Sequence, residues 1–231
     1  MSDSFGTLYV VATPIGNMGD ISERAVETLR SCDVVACEDT RVTGNLLKRF
    51  GIAKEMFVNE DSRERGVAPA LLEILKSGRN VALVSDAGTP CVSDPGFRIV
   101  RACRACGVRV VPVPGACAFA SALCASGLPS DSFLFAGFLP AKTSARKNFF
   151  EKYKDFGHTL IFYESPYRIE KFAADALEVF GGDRIVCFAK EITKMFERFF
   201  VGRLSDVASE LKKSSTKGEF VVIVAPDGFE L

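Results

Sequence analysis

Residues 80–90, Asn80-Val81-Ala82-Leu83-Val84-Ser85-Asp86-Ala87-Gly88-Thr89-Pro90, decide how the fold is read. The first half, 80–84, reads as a strand whose residues 81–84 are a continuous apolar run, as expected of one buried on both faces. The second half is a polar loop with a glycine. A helical pattern follows, opened by Pro95 and stopped after Cys106 by Gly107, with proline suited to a first turn. Three other segments repeat this order. Residues 7–12 (TLYVVA) lead into Thr13-Pro14-Ile15-Gly16-Asn17. Residues 33–37 (DVVAC) lead into Glu38-Asp39-Thr40-Arg41. Residues 108–113 (VRVVPV) lead into Pro114-Gly115-Ala116. Strands alternating with helices imply right-handed crossovers and a parallel sheet. All four loops then leave one edge of that sheet, where ligands bind in such folds.

The elements between are legible by the same signals. Ser22 can cap a helix that turns Val26 and Leu29 inward. A helix over 43–50 ends at Gly51, and residues 56–58 form a short strand. A helix over 64–77 puts Val67, Leu71, Ile74 and Leu75 on one face. Beyond residue 114 the character changes. A small-residue helix spans 115–126. Strands follow at 133–138, 159–163, 184–189, 196–201 and 219–225, with helices at 143–154, 166–180 and 203–213. Only six residues separate 184–189 from 196–201, too few for a helical crossover, so these two form an antiparallel hairpin. The predicted architecture is α/β in two domains: a Rossmann-like parallel-sheet domain over 1–113 and a mixed-sheet domain over 114–231. Residues 212–218 (KKSSTKG) read as a polar, mobile loop.

Composition excludes several function classes. The 231 residues are 48% apolar, and 29 basic residues balance 29 acidic ones. No global field draws the chain to a polyanion, which would need a local basic patch. No apolar run approaches the ~20 residues of a membrane span. The polar start, Met1-Ser2-Asp3-Ser4, is no signal peptide, so a cytoplasmic location is expected. Cys103 and Cys106 form a C-x-x-C inside a helical pattern, with no second pair and His158 as the sole histidine. That disfavours structural zinc, a serine triad and histidine-rich metal sites. The eight cysteines read as small apolar residues in a reducing compartment.

The loops carry the candidate chemistry. Thr13 to Asn17 is a tight turn, and neither G-x-G-x-x-G nor G-x-x-x-x-G-K-[ST] occurs. No dinucleotide or Walker phosphate cradle is therefore signalled. Asp86 is an acceptor for a ribose hydroxyl or an amine, and Gly88 permits close backbone approach. Glu38 and Asp39 could polarise a hydroxyl or take its proton, although acids also stabilise a helix N-terminus. Tyr163-Glu164 and Ala189-Lys190-Glu191 end apolar strands in ionisable pairs, as surface salt bridges also would. Residues 142–154 (KTSARKNFFEKYK) hold five basic residues and one acid. Lys142, Arg146 and Lys147 there could grip phosphates, and Lys190, Lys194, Arg198 and Arg203 form a second basic region.

These residues carry a resemblance. TLYVVATPIGN, ACEDTR, ALVSDAGTPCVSDPG, VVPVPGACAFASAL, GFLPAK, LIFYESPYR and KGEFVVIV occur in that order. The chain resembles the small-subunit (16S) ribosomal RNA cytidine 2′-O-methyltransferases of the tetrapyrrole methylase superfamily over nearly all of residues 6–225. The resemblance implies a homodimeric enzyme that binds S-adenosyl-L-methionine between its two domains and acts on 16S rRNA; it marks no metal-ligating residue. It implies cofactor contacts at Pro14, Asp86, Ala87, Gly88, Thr89, Pro90, Cys117, Ala118, Tyr163 and Ala189. For transfer to a ribose 2′-oxygen, Glu38 or Asp39 is the expected base. Arg41 and Lys190 are expected to hold a phosphate or stabilise the oxyanion. The neutral charge points to a folded ribosomal particle rather than free RNA.

Two departures stand out. Family members often carry a helical extension after the strand matching 219–225, whereas this chain stops at Leu231, which puts RNA grip by that extension in doubt. The segment after strand three, Val58-Asn59-Glu60-Asp61-Ser62, lacks the family's usual histidine. Rival readings are a tetrapyrrole C-methyltransferase, against which the lysine-rich 142–154 weighs, and a non-catalytic S-adenosylmethionine-binding module. A nicotinamide dehydrogenase is disfavoured by the missing glycine fingerprint.

Overall fold

Apolar runs buried on both faces must lie between layers of helix, and a computed structural model shows two such arrangements in succession. It describes residues 5–60 and 64–231; the readings placed on residues 1–4, 61 and 62 lie outside the described residues. The first compact unit runs to Cys117 and the second spans Ala118–Leu231. In the first, β1 (Leu8–Val11), β2 (Val34–Cys37), β3 (Glu55–Val58), β4 (Val81–Leu83) and β5 (Val110–Val113) are all parallel, in the order β3-β2-β4-β1-β5. This is the predicted parallel sheet.

Alternation along the strands supplies two cores. Val35, Cys37 and Ala82 pack under α1 (Glu23–Ser31) and α2 (Thr40–Arg49), against Leu29 and Leu47. Val34, Ala36, Val81 and Leu83 pack on the other face under α3 (Glu64–Lys76) and α4 (Phe97–Ala105), against Leu71, Leu75 and Ile99. Ser22 caps α1 as expected, its side chain accepting from the Ala25 N–H at 3.1 Å. Helix α2 begins at Thr40, ahead of the predicted 43, because Asp39 is its cap. Helix α4 begins at Phe97 rather than Pro95, after Gly96 at φ 131°.

The second unit has a mixed sheet, as predicted. Its strands are β6 (Phe133–Phe138), β7 (Thr159–Glu164), β8 (Ile185–Lys190), β9 (Arg198–Arg203) and β10 (Phe220–Val224), in the order β6-β7-β10-β8-β9. β6 and β7 are parallel, β10 is antiparallel to β7 and β8, and β8–β9 is the expected hairpin. Helix α5 (Ala118–Ser126) starts later than the predicted 115. One face of the sheet carries α6 (Thr143–Tyr153), α7 (Ile169–Phe180) and α8 (Leu204–Lys213) over a phenylalanine core. Phe150 and Phe172 meet there edge to face, centroids 5.2 Å apart, the geometry aromatic quadrupoles favour. The alternation assigns Leu160, Phe162 and Glu164 of β7 to this face, with Val186, Phe188 and Lys190 of β8. Tyr163 and Ala189 take the opposite face. Since β7 and β8 share one direction, Glu164 and Lys190 end at the same edge, each opposite Phe220. Among the described residues no helix is long and apolar enough to cross a membrane.

Candidate active site

The four loops named from the sequence are joined at the carboxyl edge of the first sheet. Thr13 and Gly88 form an isolated two-way bridge, with N···O distances of 2.8 and 3.1 Å. The Thr13 hydroxyl donates to the Ser85 carbonyl at 3.1 Å, and the Thr89 hydroxyl to the Ala116 carbonyl at 3.0 Å. Gly88 sits at φ 84°, where a Cβ would lie 3.3 Å from Ile15. Gly115 approaches so closely that its Cβ would be 3.0 Å from that of Ala12. The β1, β4 and β5 loops are therefore stitched together through backbone, while Asp86 and Ala87 stay exposed above them.

Glu38, Asp39 and Asp86 interlock. The Asp86 N–H donates to Glu38 Oε1 at 3.2 Å, and the Asp39 N–H donates to Asp86 Oδ1 at 3.1 Å. Each loop thus orients a carboxylate of the other. Asp39 itself is otherwise engaged. It caps α2 by accepting from the Arg41 N–H at 2.8 Å and grips the Arg41 guanidinium through Nε at 3.1 Å and Nη2 at 2.6 Å. The Arg41 side chain bonded to it lowers the Asp39 pKa to about 2. A base works best with a pKa near the operating pH, so the bond to Arg41 weighs against Asp39 and toward Glu38 of the two expected bases. Asp39 is a cap and an anchor for Arg41, whose side chain remains 88% exposed.

Sequence reasoning passed over Asn59. Its N–H donates to the Cys37 carbonyl at 2.7 Å, prolonging the β2–β3 ladder past Val58. The side chain is 1% exposed, and neither amide atom has a partner. An unpartnered buried amide is costly and calls for an explanation. Its signal in the sequence is a polar residue directly at a strand end.

In the second unit, three expectations change. Arg146 was read as a phosphate-binding residue, but its side chain is 1% exposed. Nε donates to Asp175 Oδ2 at 2.8 Å, Nη2 pairs with the same carboxylate, and Nη1 donates to the carbonyls of Pro140 and Ala141 at 3.4 Å. Arg146 is a buried strut holding the loop after β6. Lys147 pairs with Glu178, and Lys142 is exposed just ahead of α6. Lys190 is buried, and its ammonium donates to the Ser215 carbonyl. It lies on the sheet face opposite Tyr163 and Ala189, so it braces the 214–218 loop rather than reaching a reacting oxygen. Tyr163 accepts from the Phe119 N–H through its hydroxyl at 3.2 Å, and Ala189 is fully buried.

Residues 7–208 match the family described as Tetrapyrrole (Corrin/Porphyrin) Methylases. The chain belongs to this family. Its members are S-adenosylmethionine-dependent methyltransferases. Relatives agree: the "Ribosomal RNA small subunit methyltransferase I" of Haemophilus influenzae is 50% identical over 97% of this chain and 80% of its own length. The protein of that name from Escherichia coli O157:H7 is 46% identical over 96% of this chain and 78% of its own. Solved structures share the fold at low identity. The methyltransferase CobJ superposes with a TM-score of 0.72 at 19% identity, covering 98% of this chain and 96% of CobJ. Diphthine synthase reaches 0.74 at 17%, covering 97% and 92%. The family resemblance and the fold expected from the sequence are borne out.

Proposed function

We propose that this chain transfers the methyl group of S-adenosyl-L-methionine to the ribose 2′-hydroxyl of a cytidine in 16S ribosomal RNA. In this reading it acts in the cytoplasm, on the small subunit, as a homodimer. The likeness to the Haemophilus influenzae protein over nearly the whole chain carries it. The residues present fit the cofactor. Gly88 holds the turn at φ 84°, where a Cβ would crowd Ile15, so the backbone at the exposed Asp86 and Ala87 is free of bulky side chains, and the sequence carries no phosphate-loop motif for a group that has no phosphate. Carboxylates at Glu38 and Asp86 suit a cationic sulfur. When bound, the cofactor supplies an electrophilic methyl on that sulfur.

The chain's own part is positioning and proton transfer. In-line attack requires the acceptor oxygen to be held in one place, an effect that by itself can supply much of the rate. Glu38 is the base in this proposal, its carboxylate held by the Asp86 N–H. Arg41, fixed on Asp39, presents its outer face to a phosphate beside the target. The Asn59 amide is unpartnered but buried, so in this proposal it meets the acceptor nucleotide only once RNA binding has uncovered it. Cofactor contacts are proposed at Pro14 and at 86–90, with Cys117, Ala118, Tyr163 and Ala189 added by the family resemblance.

The direct test supplies radiolabelled S-adenosylmethionine to small subunits lacking the modification, with naked 16S rRNA and a porphyrin precursor in parallel. Label at an alkali-resistant linkage in subunit RNA supports the reading; label in the macrocycle overturns it. Two variants probe its parts. Asn59→Leu removes the orphaned amide and is expected to stabilise the fold by ~1–3 kcal/mol, while lowering turnover at least ~10-fold. Raised stability with unchanged turnover would strip Asn59 of a ligand role. Gly88→Ala forces a left-handed backbone on a residue with a Cβ, at a cost of about 1–3 kcal/mol. Calorimetry is expected to show cofactor affinity weakened by roughly tenfold, ~1.4 kcal/mol.

A further inference from the structure

Tyr167, Met195 and Phe196 are the most exposed large apolar side chains among the described residues, at 92%, 90% and 73%. All three stand on loops that leave the carboxyl ends of β7 and β8. Phe138, 57% exposed, closes β6 at that same edge. Exposed rings gathered at one edge mark an interaction site.

Both loops are braced along their backbones. Around Phe196 the backbone is strained: Glu191 and Thr193 have φ of 49° and 67°. Such strain persists only where the surroundings over-determine it, and here they do. The Glu191 N–H donates to the Glu219 carbonyl, and the Glu219 N–H returns to Glu191 Oε1, both at 2.9 Å. The Lys194 ammonium ties Glu191 to Glu219 at 2.9 and 2.8 Å, and a Cβ on Gly218 would lie 2.3 Å from Glu191. Before Tyr167, the Ser165 N–H donates to Glu164 Oε1 at 2.8 Å. After it, Arg168 donates to the Leu139 carbonyl at 2.6 Å. Two exposed cations belong to the same edge, Lys142 in the loop after β6 and Lys217 just before β10.

We propose that this edge of the second unit is a stacking platform for unpaired bases of the RNA that carries the target nucleotide. The proposal rests on the RNA reading above. Every base has a π-face, so rings presented in the open on braced loops bind single strands with little sequence preference, while lysines meet the backbone phosphates. A surface for self-association would have a core depleted in charge; these rings are interleaved with Lys142, Lys217, Glu197 and Arg198.

The test uses the full chain and a single-stranded RNA oligonucleotide containing 2-aminopurine, whose fluorescence is quenched on stacking. Wild type is expected to quench it. Tyr167→Ala and Phe196→Ala are each expected to weaken binding about tenfold, with S-adenosylmethionine affinity kept, and Phe196→Trp to restore it. On small subunits the alanine variants should raise KM and leave kcat near wild type. Wild-type binding and KM in both alanine variants would overturn the platform even if the RNA is methylated. An altered sedimentation coefficient in those variants, with oligonucleotide binding unchanged, would assign the edge to a second copy instead. Ring-dependent binding without methyl transfer to any rRNA would keep the platform and remove the cytidine reading.

Discussion

Arg146→Ala is expected to destabilise the second unit by about 3–5 kcal/mol, the usual result of removing one partner of a buried ion pair. The Asp175 carboxylate loses its partner, and the carbonyls of Pro140 and Ala141 lose their donor. Those carbonyls belong to the loop that leads from β6 into α6, so the damage spreads to the loop that carries Lys142. In a chain of this size the thermal midpoint should fall by about 10 °C. Replacing both charges with apolar groups, Arg146→Met with Asp175→Leu, should recover most of the loss, since buried pairs often exchange for well-packed hydrophobes at little cost. Thermal denaturation measures both. A surface phosphate contact would behave in the opposite way, with normal stability, weaker RNA binding and no rescue by the second change. Lys142→Ala provides the comparison, with stability unchanged and a small effect on RNA affinity alone.

The Arg146 error shows what kind of information a sequence holds. By composition, 142–154 is a basic segment. By helical spacing, Arg146 and Phe150 lie four apart and share a face, and Phe150 is fully buried. Charge argued for the surface and spacing for the core; spacing decided, because Asp175 on α7 supplies the countercharge, and a partner on another helix cannot be read from local pattern. Lys190 repeats the lesson. It follows Val186 and Phe188 at strand period on the face under the helices, so alternation places it away from Tyr163 and Ala189. The loops at 13–17, 38–41, 86–90 and 114–116 were legible because each combines a buried strand with residues a plain turn does not need. Their hydrogen bonds to one another were not, since strand order, and hence which loops are neighbours, depends on long-range pairing. The braced turn at 191–197 was invisible for the same reason: its restraints come from Gly218 and Glu219, just ahead of the strand that lies between β7 and β8.

Glu38→Gln is expected to give the largest loss of turnover, about 10²–10⁴-fold in kcat, the range contributed by a positioned general base. The amide oxygen can still accept from the Asp86 N–H, so the latch between the two loops survives and cofactor affinity should change by less than about threefold. The effect then lies in the proton, not in the architecture. Asp39→Asn separates the neighbouring carboxylate. Asparagine retains the α2 cap but loses the charge that fixes Arg41, so KM for the RNA should rise more than kcat falls. The pH profile distinguishes the two residues. With a pKa of about 2, Asp39 is ionised below its unfolded value and stays so across any ordinary assay range. It cannot produce an acid limb, and Asp39→Asn should leave that limb where wild type has it. If Glu38 is the base, the acid limb of kcat must vanish in Glu38→Gln. A limb that persists there while it shifts in Asp39→Asn would return the proton to Asp39. That outcome would require Arg41 to leave its carboxylate when RNA binds, freeing both oxygens for the 2′-hydroxyl, and Arg41→Ala would then raise the limb in the free enzyme as well.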